Sequence, residues 1–393
     1  MVRIVTFSSL FPSSVRPGHG IFVETRLREL VASGQVDVRV VAPVPWFFST
    51  NPRYGEYARI SKTPRREIHN GIDVLHPRYF LPPKVGMTIA PLSMALGALS
   101  AFQQLLAEGF DFDVIDAHYY YPDGVAAAWL ARHFKRPFTV TARGSDINLI
   151  SRFLTPRLLM RRAAQSAAMS IGVSTALTYA MEELGMPASK LVTMQNGVDL
   201  DKFSLRPQAE ARAELGWPHG PTILSVGNLV ENKGHGIAIE SLAGLPQFRL
   251  VIVGEGPLRQ TLEFQVRRAN LSSRVQFLGA VEQNRLATCY SAADMLVLAS
   301  SREGWPNVLL ESMACGTRVV ATSVGGIPEI VTSDTLGELM QERTAAALVK
   351  AVNALQSRLP DRLAVRARAL MSSWQLTTDM QLALFGRLSS QKV

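Results

Sequence analysis

Two glutamates in the second half of the chain have the residue type and spacing to hold a nucleotide-linked sugar. Glu303 follows a predicted strand at Met295–Leu298, and Glu311 stands eight positions later. Pro306 and Asn307 favour a helix start. We therefore expect Glu303 in a loop and Glu311 about one turn inside the helix. The alternative is two surface glutamates with no common role.

The backbone at this helix start is suited to binding phosphate. N–H groups near residues 304–308 would point towards a bound anion, with the positive end of the helix behind them. Two carboxylates beside a diphosphate would repel it unless they accepted hydrogen bonds from sugar hydroxyls. The combination therefore indicates a sugar nucleotide.

A lysine follows another predicted strand. The strand Thr222–Val226 runs into Gly227, and Lys233 stands six residues further on, before Gly234. Lysine can reach a phosphate oxygen as a compact point charge, and glycine lets the backbone approach a ligand closely. An exposed lysine beside a helix start is the alternative.

The first half offers polar residues at equivalent places. His118 comes after the predicted strand Phe112–Ala117, while Arg143 and Asp146 come after the next one, Phe138–Thr141. Ligands of parallel sheets bind beyond the carboxyl ends of the strands. A structural histidine is the alternative for His118.

Predicted strands and helices alternate along the whole chain. Short, continuously apolar strands spaced by helices indicate parallel sheets that are buried on both faces. Turn residues between 196 and 221 mark a break. The sequence thus predicts an α/β protein with two doubly wound Rossmann-like domains facing across a cleft. The predicted strands are Val2–Phe7, Val36–Val41, Phe112–Ala117, Phe138–Thr141, Met169–Val173, Leu191–Met194, Thr222–Val226, Phe248–Val253, Arg274–Leu278, Met295–Leu298 and Arg318–Ala321.

Composition excludes several classes of protein. The chain has 393 residues, of which 47% are hydrophobic and 19% charged, so it can build sizeable cores and is not mainly disordered. Two cysteines are too few for a disulfide framework or a thiolate zinc site. Lys and Arg number 41 against 32 Asp and Glu, a net charge of +9 that favours contact with anions.

The sequence shows no recognisable secretory signal, and we expect a cytoplasmic protein. The N-terminus lacks the pattern of a secretory signal, and the cysteine content fits a reducing compartment. The charge-free stretch 85–107 is long enough to cross a bilayer. Polar residues, glycines and a proline dilute it, so we expect a helix packed against its domain, with a segment that dips into the membrane as the alternative.

Taken together, the motifs resemble retaining glycosyltransferase family 4, whose members have the GT-B fold. The resemblance covers nearly the whole chain and is most specific at the two glutamates. Three further segments of the first half are most similar to the branch of this family that builds teichuronic acid or capsular polysaccharide. The motifs are Glu303–Glu311, Gly227 to Gly234, Gly254–Arg259, Asn196–Asp199, Glu311–Thr317 and Gly325–Ile330, and the branch-like segments are Pro17–Glu24, Pro122–Gly124 and Arg143–Ile147.

The resemblance implies a role for each candidate residue. Glu303, Lys233 and His118 form the implied catalytic set, in which Glu303 holds donor-sugar hydroxyls, Lys233 neutralises the diphosphate and His118 lies beside the transferred sugar. Glu311 is expected to hold the ribose hydroxyls. The remaining donor-binding residues are Gly18, which approaches the diphosphate, Gly227, Asn228, Val281 near the base, and Gly304, Asn307 and Val308 near the phosphates and sugar.

One residue departs from the family pattern. Many relatives have an arginine where this chain has Asn228, and that arginine shares the charge of the leaving group with the lysine. Its absence leaves Lys233 as the main cation, unless Arg143 or another cation of the first domain supplies the second. We therefore count Arg143 and Asp146 as candidate acceptor or phosphate contacts.

The resemblance also implies domain roles and partners. Residues 1–200 would bind the acceptor, 201–372 the nucleotide-sugar donor, and the helix in 373–393 would return to the first domain. A retaining hexosyltransferase of this family would use a nucleotide-diphosphate sugar and a glycan or lipid-linked acceptor in cell-surface polysaccharide biosynthesis. It would need no cofactor and no metal, and no nucleic-acid module is recognisable.

Basic stretches of the first half suggest where the enzyme would attach. Residues 132–162 carry eight Lys and Arg against Asp146 alone, and Arg53–Lys84 interleaves cations with aromatic residues. A solvated face is the ordinary interpretation of such charge. For a lipid-linked acceptor, we expect a peripheral contact with the anionic inner face of the cytoplasmic membrane.

Two other functions share parts of this pattern. A sugar-nucleotide epimerase can have the same architecture, and a non-catalytic protein could bind glycans or membrane surfaces through the basic face. The presence of Glu303, Glu311 and Lys233 together favours the transferase.

Overall fold

The protein forms two compact units. The computed structural model describes residues 1–82 and 86–390. One unit comprises Met1–Gln195 with Gln375–Val393, and the other comprises Asn196–Trp374. The divisions expected from the sequence fall after residues 200 and 372.

The first unit is built on an eight-stranded sheet and a two-stranded ribbon. In the order β10-β9-β8-β7-β1-β2-β5-β4, the large sheet is parallel except for β4, which pairs antiparallel with β5. The ribbon pairs β3 with β6 in parallel. The strands are β1 Val2–Phe7, β2 Val36–Val41, β3 Val44–Pro45, β4 Arg66–His69, β5 Ile72–Leu75, β6 Arg78–Tyr79, β7 Val114–His118, β8 Phe138–Ala142, β9 Met169–Gly172 and β10 Leu191–Thr193.

Helices cover this sheet and complete its core. Residues of β1, β2 and α1 form one apolar cluster with the end of the last helix of the chain, where Phe385 is fully buried. The helices of the unit are α1 Ile21–Ala32, α2 Gly55–Ser61, α3 Gly86–Ala107, α4 Val125–Phe134, α5 Ser145–Asn148, α6 Leu154–Ser166 and α7 Thr175–Glu183, and the last helix of the chain starts at Trp374.

Helix α3 coincides with most of the long charge-free stretch. It is long and apolar enough to cross a membrane, with a mean hydropathy of 1.4 in its most apolar window. One face is nevertheless buried, and its Phe102 packs against Phe7, Phe112 and Phe134. The helix therefore belongs in part to the core of the first unit. Residues 84 and 85, at the ends of two predicted stretches, lie outside the described residues.

The second unit has a six-stranded parallel sheet. Its order is β13-β12-β11-β14-β15-β16, which is the strand order of a dinucleotide-binding fold. The strands are β11 Thr222–Val226, β12 Arg249–Val253, β13 Val275–Gly279, β14 Met295–Leu298, β15 Arg318–Thr322 and β16 Gly337–Met340. The helices are α8 Gln208–Leu215, α9 His235–Ser241, α10 Arg259–Arg268, α11 Gln283–Ala292, α12 Asn307–Ala314, α13 Ile327–Ile330, α14 Ala345–Gln356, α15 Arg362–Leu370 and α16 Trp374–Ser390, which continues into the first unit.

The predicted architecture of two doubly wound α/β domains is confirmed by these sheets. Of the predicted strands, four have the observed bounds and the others differ at their ends by one or two residues, as at β7. The short strands β3 to β6 and the edge strand β16 were not predicted.

Gly254 brings the ends of two strands of the second sheet together. Its φ is +139°, and a Cβ atom placed on it would lie 1.9 Å from the carbonyl oxygen of Gly227. A side chain is therefore excluded both by backbone conformation and by lack of space. The loops after β11 and β12 can approach each other only because this residue is glycine.

Replacing Gly254 with alanine should lower the free energy of unfolding by about 2 kcal/mol or more, because the backbone must move. Denaturant unfolding measures the change. Gly386→Ala is the matched control, since a Cβ on that residue of α16 meets nothing within 4 Å. The control should leave the free energy of unfolding unchanged or raise it by up to about 1 kcal/mol. Equal stability of the Gly254→Ala variant and the native protein would show that the loops are not packed as described.

Candidate active site

The candidate donor site lies where the strand order of the second sheet reverses. The chain runs outward from β11 to β12 and β13, then returns to place β14 on the other side of β11. Loops leaving the carboxyl ends of β11 and β14 therefore diverge, and such a point forms a crevice in open α/β sheets. Gly227 follows one strand and Ser300 comes shortly after the other.

An ion pair connects these two loops. The Nζ atom of Lys233 lies 2.6 Å from Oε1 of Glu303, and Ser300 donates its Oγ–H to the same oxygen at 2.6 Å. The Lys233 side chain is 23% exposed and that of Glu303 is 10% exposed. The pair is thus partly desolvated and still open to a ligand.

Glycines bring the backbone close around this pair. A Cβ on Gly227 would lie 3.5 Å from Cγ of Lys233, so the lysine stem passes directly over that residue. A Cβ on Gly234 would lie 2.1 Å from the oxygen of Ala299, and one on Gly325 would lie 2.0 Å from the oxygen of Glu303. Both glycines have positive φ, so the loops carrying the pair depend on them.

Helix α12 begins next to the ion pair. Asn307 is its first residue and Glu311 lies one turn inside, as the sequence predicts. The amides of Asn307 and Val308 are in the first turn, where a helix offers no internal acceptor. Gly304 is buried in the loop, and the neighbouring Trp305 donates its Nε1–H to the oxygen of Asn196 at 3.0 Å. The helix start therefore presents oriented donors.

Glu311 is held by a tyrosine that the sequence analysis did not single out. Tyr290 of α11 donates its hydroxyl to Oε2 of Glu311 at 2.8 Å. Burial raises the pKa of Glu311 to about 7, against the opposing effects of this hydrogen bond and of the Lys202 charge. The carboxyl group therefore titrates near neutral pH.

Asn228 and Val281 lie on the loops that follow β11 and β13. Asn228 is exposed, and its carbonyl accepts a hydrogen bond from Nε2 of His235 at 3.3 Å. His235 in turn accepts from the Ser225 hydroxyl at 2.9 Å, and burial lowers its pKa to about 4. Val281 is half-buried beside the start of α11. A neutral buried histidine thus fixes the turn that carries Asn228.

In the first unit, His118 is enclosed in a buried polar cluster. Its Nε2 lies 3.0 Å from Oδ2 of Asp116, and its Nδ1 accepts a hydrogen bond from Nη2 of Arg143. Because arginine can only donate, the proton of the neutral ring must be on Nε2. Burial lowers the pKa of His118 to about 4. Both ring nitrogens are occupied, so His118 in this arrangement has no nitrogen left for a substrate.

Asp146 organises the loop after β8. Its carboxylate accepts hydrogen bonds from the backbone N–H groups of Tyr120 at 2.7 Å, Gly144 at 2.8 Å and Arg143 at 3.1 Å. We attribute its burial to this structural role, and its contact with an acceptor stays a prediction. Gly18 is exposed, with open space around it.

The structure thus brings Gly227, Lys233 and Glu303 together in the second unit, and His118 with Arg143 in the first. Their roles towards a ligand stay predictions. Sequence reasoning missed Tyr290, Ser300, Asp116 and Arg26. Of these, Arg26 is fully buried. Its charge helps to keep the pKa of Asp116 low, although desolvation of that carboxyl group acts to raise it. Asp116 could have been found, because it lies two residues before His118 and so on the same face of the strand.

Comparison with known proteins gives the class of enzyme. A family model described as "Glycosyl transferases group 1" matches residues 207–369, and one described as "Glycosyl transferase 4-like domain" matches residues 18–197. The two matches correspond closely to the two units. The protein is a glycosyltransferase. These matches support neither the epimerase nor the non-catalytic alternative.

A curated relative establishes the family. The chain is 30% identical over 365 residues to TuaC of Bacillus subtilis (strain 168), a glycosyltransferase named for teichuronic acid biosynthesis, covering 89% of this chain and 88% of that protein. The chain belongs to the group 1 glycosyltransferases with a family 4-like first domain. It is also 36% identical over 213 residues to D-inositol 3-phosphate glycosyltransferase of Mycobacterium leprae (strain Br4923), covering 51% of this chain and 49% of that protein.

Solved structures show the same fold. Sucrose-phosphate synthase from Thermosynechococcus elongatus superposes with a TM-score of 0.81 at 21% identity, over 99% of this chain and 100% of that one. Anabaena HepE in complex with UDP-glucose superposes with a TM-score of 0.73 at 21% identity, over 99% and 100%. The predicted GT-B type of fold is confirmed.

The pKa of Glu311 leads to a prediction about stability and pH. Its pKa in the folded protein lies above the ordinary value of 4.5. The stability that the neutral carboxyl contributes is therefore present below about pH 4.5 and is lost as the pH rises through about 7. Glu311→Gln, which keeps an acceptor for Tyr290 and cannot ionise, should become more stable than the native protein as the pH is raised. Between about pH 5.5 and 8.5 the difference in unfolding free energy should grow by on the order of 1–3 kcal/mol.

Urea unfolding of both proteins across this pH range measures the difference. Glu342→Gln serves as the control, because the Glu342 side chain faces solvent. A constant difference between the Glu311→Gln variant and the native protein would contradict the described environment of Glu311.

Proposed function

We propose that this enzyme transfers a sugar from a nucleotide-diphosphate sugar, with retention of anomeric configuration, to a glycan or lipid-linked acceptor in cell-surface polysaccharide synthesis. The observation that carries the proposal is the 2.6 Å contact between Lys233 and Glu303 at the start of α12. In a sugar nucleotide the last phosphate and the sugar are bonded neighbours. A cation and a carboxylate this close can therefore serve both groups of one ligand, the cation for phosphate and the carboxylate for sugar hydroxyls.

The reaction requires stabilisation of a departing diphosphate. As the bond between the sugar C1 and the phosphate oxygen breaks, its electron pair stays on that oxygen, and Lys233 with the amides of Asn307 and Val308 stabilises the charge. The acceptor oxygen bonds to C1 on the face that the diphosphate leaves. Its proton passes to the leaving phosphate oxygen, so no protein base is needed. The occupied ring nitrogens of His118 support a positioning role for that residue rather than a proton-transfer role.

Partners and location form part of the proposal. The likeness to TuaC supports an anionic cell-surface polysaccharide as the product, and the UDP-glucose complex of HepE supports a nucleotide sugar as the donor. We place the enzyme in the cytoplasm, attached peripherally to the inner face of the membrane through its first unit. Lys233 and the first turn of α12 would supply the positive charge that a metal supplies elsewhere, which supports a reaction without metal.

Replacing Lys233 with alanine should reduce kcat by about 100- to 1,000-fold, because the main cation for the leaving group is lost. Activity is followed as the release of the nucleoside diphosphate from UDP-, GDP- and ADP-sugars in the presence of saccharide acceptors. The donor that raises the unfolding midpoint most identifies the base. Product configuration at the new anomeric carbon, read by proton NMR, tests retention.

Lys350→Ala is the matched control, because Lys350 is exposed on α14. It should leave kcat and the donor-induced shift of the unfolding midpoint unchanged. If Lys233→Ala retained both, the donor site would lie elsewhere. An inverted product would remove the retaining mechanism and leave the donor site standing.

Chelation should not affect turnover. With the charge of the leaving group met by side-chain and backbone donors, activity in excess EDTA should stay within about twofold of the untreated value. Loss of activity in EDTA, restored by Mg²⁺ or Mn²⁺, would contradict the metal-independent reaction. No group of three or more His, Cys, Asp or Glu suited to a metal occurs in residues 1–82 and 86–390.

A further inference from the structure

A groove in the first unit lies away from the His118 cluster of the same unit. It has a volume of about 670 Å³ and runs between α4 and α6, with Pro137 and Phe138 at the start of β8 among its lining residues. Start-of-strand residues line it, whereas His118 and Arg143 lie at the carboxyl ends of β7 and β8. The groove therefore opens at the opposite edge of the sheet from the ends where ligands of this fold bind.

The lining of this groove is strongly basic. Five Lys or Arg side chains contribute to it, and no Asp or Glu is among its described lining residues. Arg132, Lys135 and Arg162 are exposed, and none of the three has an acidic partner within salt-bridge distance in the described ranges of the chain. These three cations are therefore available to an anionic ligand.

Two further cations of the groove are held in place by other groups. Arg136 pairs with Asp111 at 2.5 Å, and Lys190 donates to the carbonyl oxygens of Gln165 and Ala167 at 2.7 and 2.9 Å. The Lys190 charge faces carbonyl groups and is not neutralised by a carboxylate. The local field at the groove is therefore positive.

Exposed apolar side chains lie on the helices that form the groove and on the neighbouring helix α3. Trp129 on its rim is 37% exposed, and Leu154 and Leu158 of α6 are 62% and 44% exposed. Helix α3 packs against both α4 and α6, and its Leu92 and Leu96 are 52% and 60% exposed. Cations interleaved with exposed leucines and a tryptophan are typical of surfaces that lie in a membrane interface.

The other basic stretch, Arg53–Lys84, differs in its described part. Arg59 pairs with Glu56 at 2.9 Å, and Arg66 pairs with Asp73 and Glu108, each at 2.6 Å. Its positive charge is thus partly neutralised by neighbouring acids. In residues 132–162, by contrast, the single acid is the buried Asp146, which faces backbone amides. The positive charge of residues 132–162 is therefore less neutralised by acids than that of the described part of Arg53–Lys84.

We propose that this groove binds the phosphate group of an anionic membrane lipid, while the exposed leucines of α6 and α3 enter the interfacial layer. The inference rests on the proposed peripheral location and specifies where the contact is made. A phosphodiester headgroup matches the unpaired Arg132, Lys135 and Arg162, and Trp129 in the lining offers an apolar surface to its glycerol and first acyl carbons. The exposed leucines of α6 and α3 favour a lipid over a soluble phosphate, which would gain nothing from them.

Sedimentation of the full chain with phosphatidylcholine vesicles, with and without phosphatidylglycerol, tests the proposal. The native protein should bind only the vesicles that contain phosphatidylglycerol. Each cation of a basic surface contributes about fivefold to binding an anionic membrane, so the triple variant R132Q/K135Q/R162Q should bind roughly 100-fold more weakly. The matched control R28Q/R267Q/R268Q removes the same charge from exposed positions elsewhere and should bind within a few-fold of the native protein.

The outcomes separate this inference from the proposal it rests on. If the native protein bound no phosphatidylglycerol vesicles, the peripheral location itself would fall. If it bound them and the two triple variants were weakened equally, or not at all, the location would stand and the groove would be rejected as the headgroup site. If orthophosphate displaced the native protein more than sodium chloride of equal ionic strength, the groove would be a soluble-phosphate site. Unchanged unfolding midpoints show that both variants are folded.

Discussion

Electrostatic pairing of Lys233 with Glu303 is the interaction on which the proposed donor site depends. Each residue comes from a loop that leaves the sheet on one side of the reversal in strand order, so the pair exists only because β11 and β14 are neighbours. In this contact the two charges satisfy each other. A sugar nucleotide would have to replace this contact with two of its own, phosphate for the lysine and hydroxyls for the glutamate. The pair therefore keeps both side chains near the positions from which, in the proposed reaction, they would contact the ligand.

Ionisable groups lie in different environments in the two units. In the second unit, the side chains of Lys233 and Glu303 are partly exposed, while burial raises the pKa of Glu311 to about 7. In the first, Asp116, His118 and Arg143 form a closed chain of hydrogen bonds that keeps the histidine neutral with its proton on Nε2. Such a chain fixes a ring in space and removes it from proton transfer. An enzyme whose leaving group carries away the acceptor proton can use a histidine in this way.

Much of the fold could be predicted from the sequence because strands buried on both faces have a continuous apolar pattern, as in Val2–Phe7 and Thr222–Val226. The β4–β5 hairpin has a turn signal in Asn70-Gly71, both with positive φ. Its strand β4 is polar, however, and β5 has only four residues, so neither gave a continuous apolar run. Glu303, Lys233 and Glu311 stood out by type and spacing. Tyr290, Ser300 and Arg26 did not stand out in the sequence. Their partners become evident only when the fold brings distant segments of the chain together. The separation of paired from unpaired cations likewise needed the structure.

The most direct test is a crystal structure of the enzyme with the nucleotide sugar that stabilises it most. The account predicts the diphosphate within hydrogen-bonding distance of Nζ of Lys233 and of the first amides of α12, the sugar hydroxyls on Glu303, and the ion pair between these two side chains broken or shared. A nucleotide sugar bound away from α12, with Lys233 and Glu303 still paired at 2.6 Å, would contradict it.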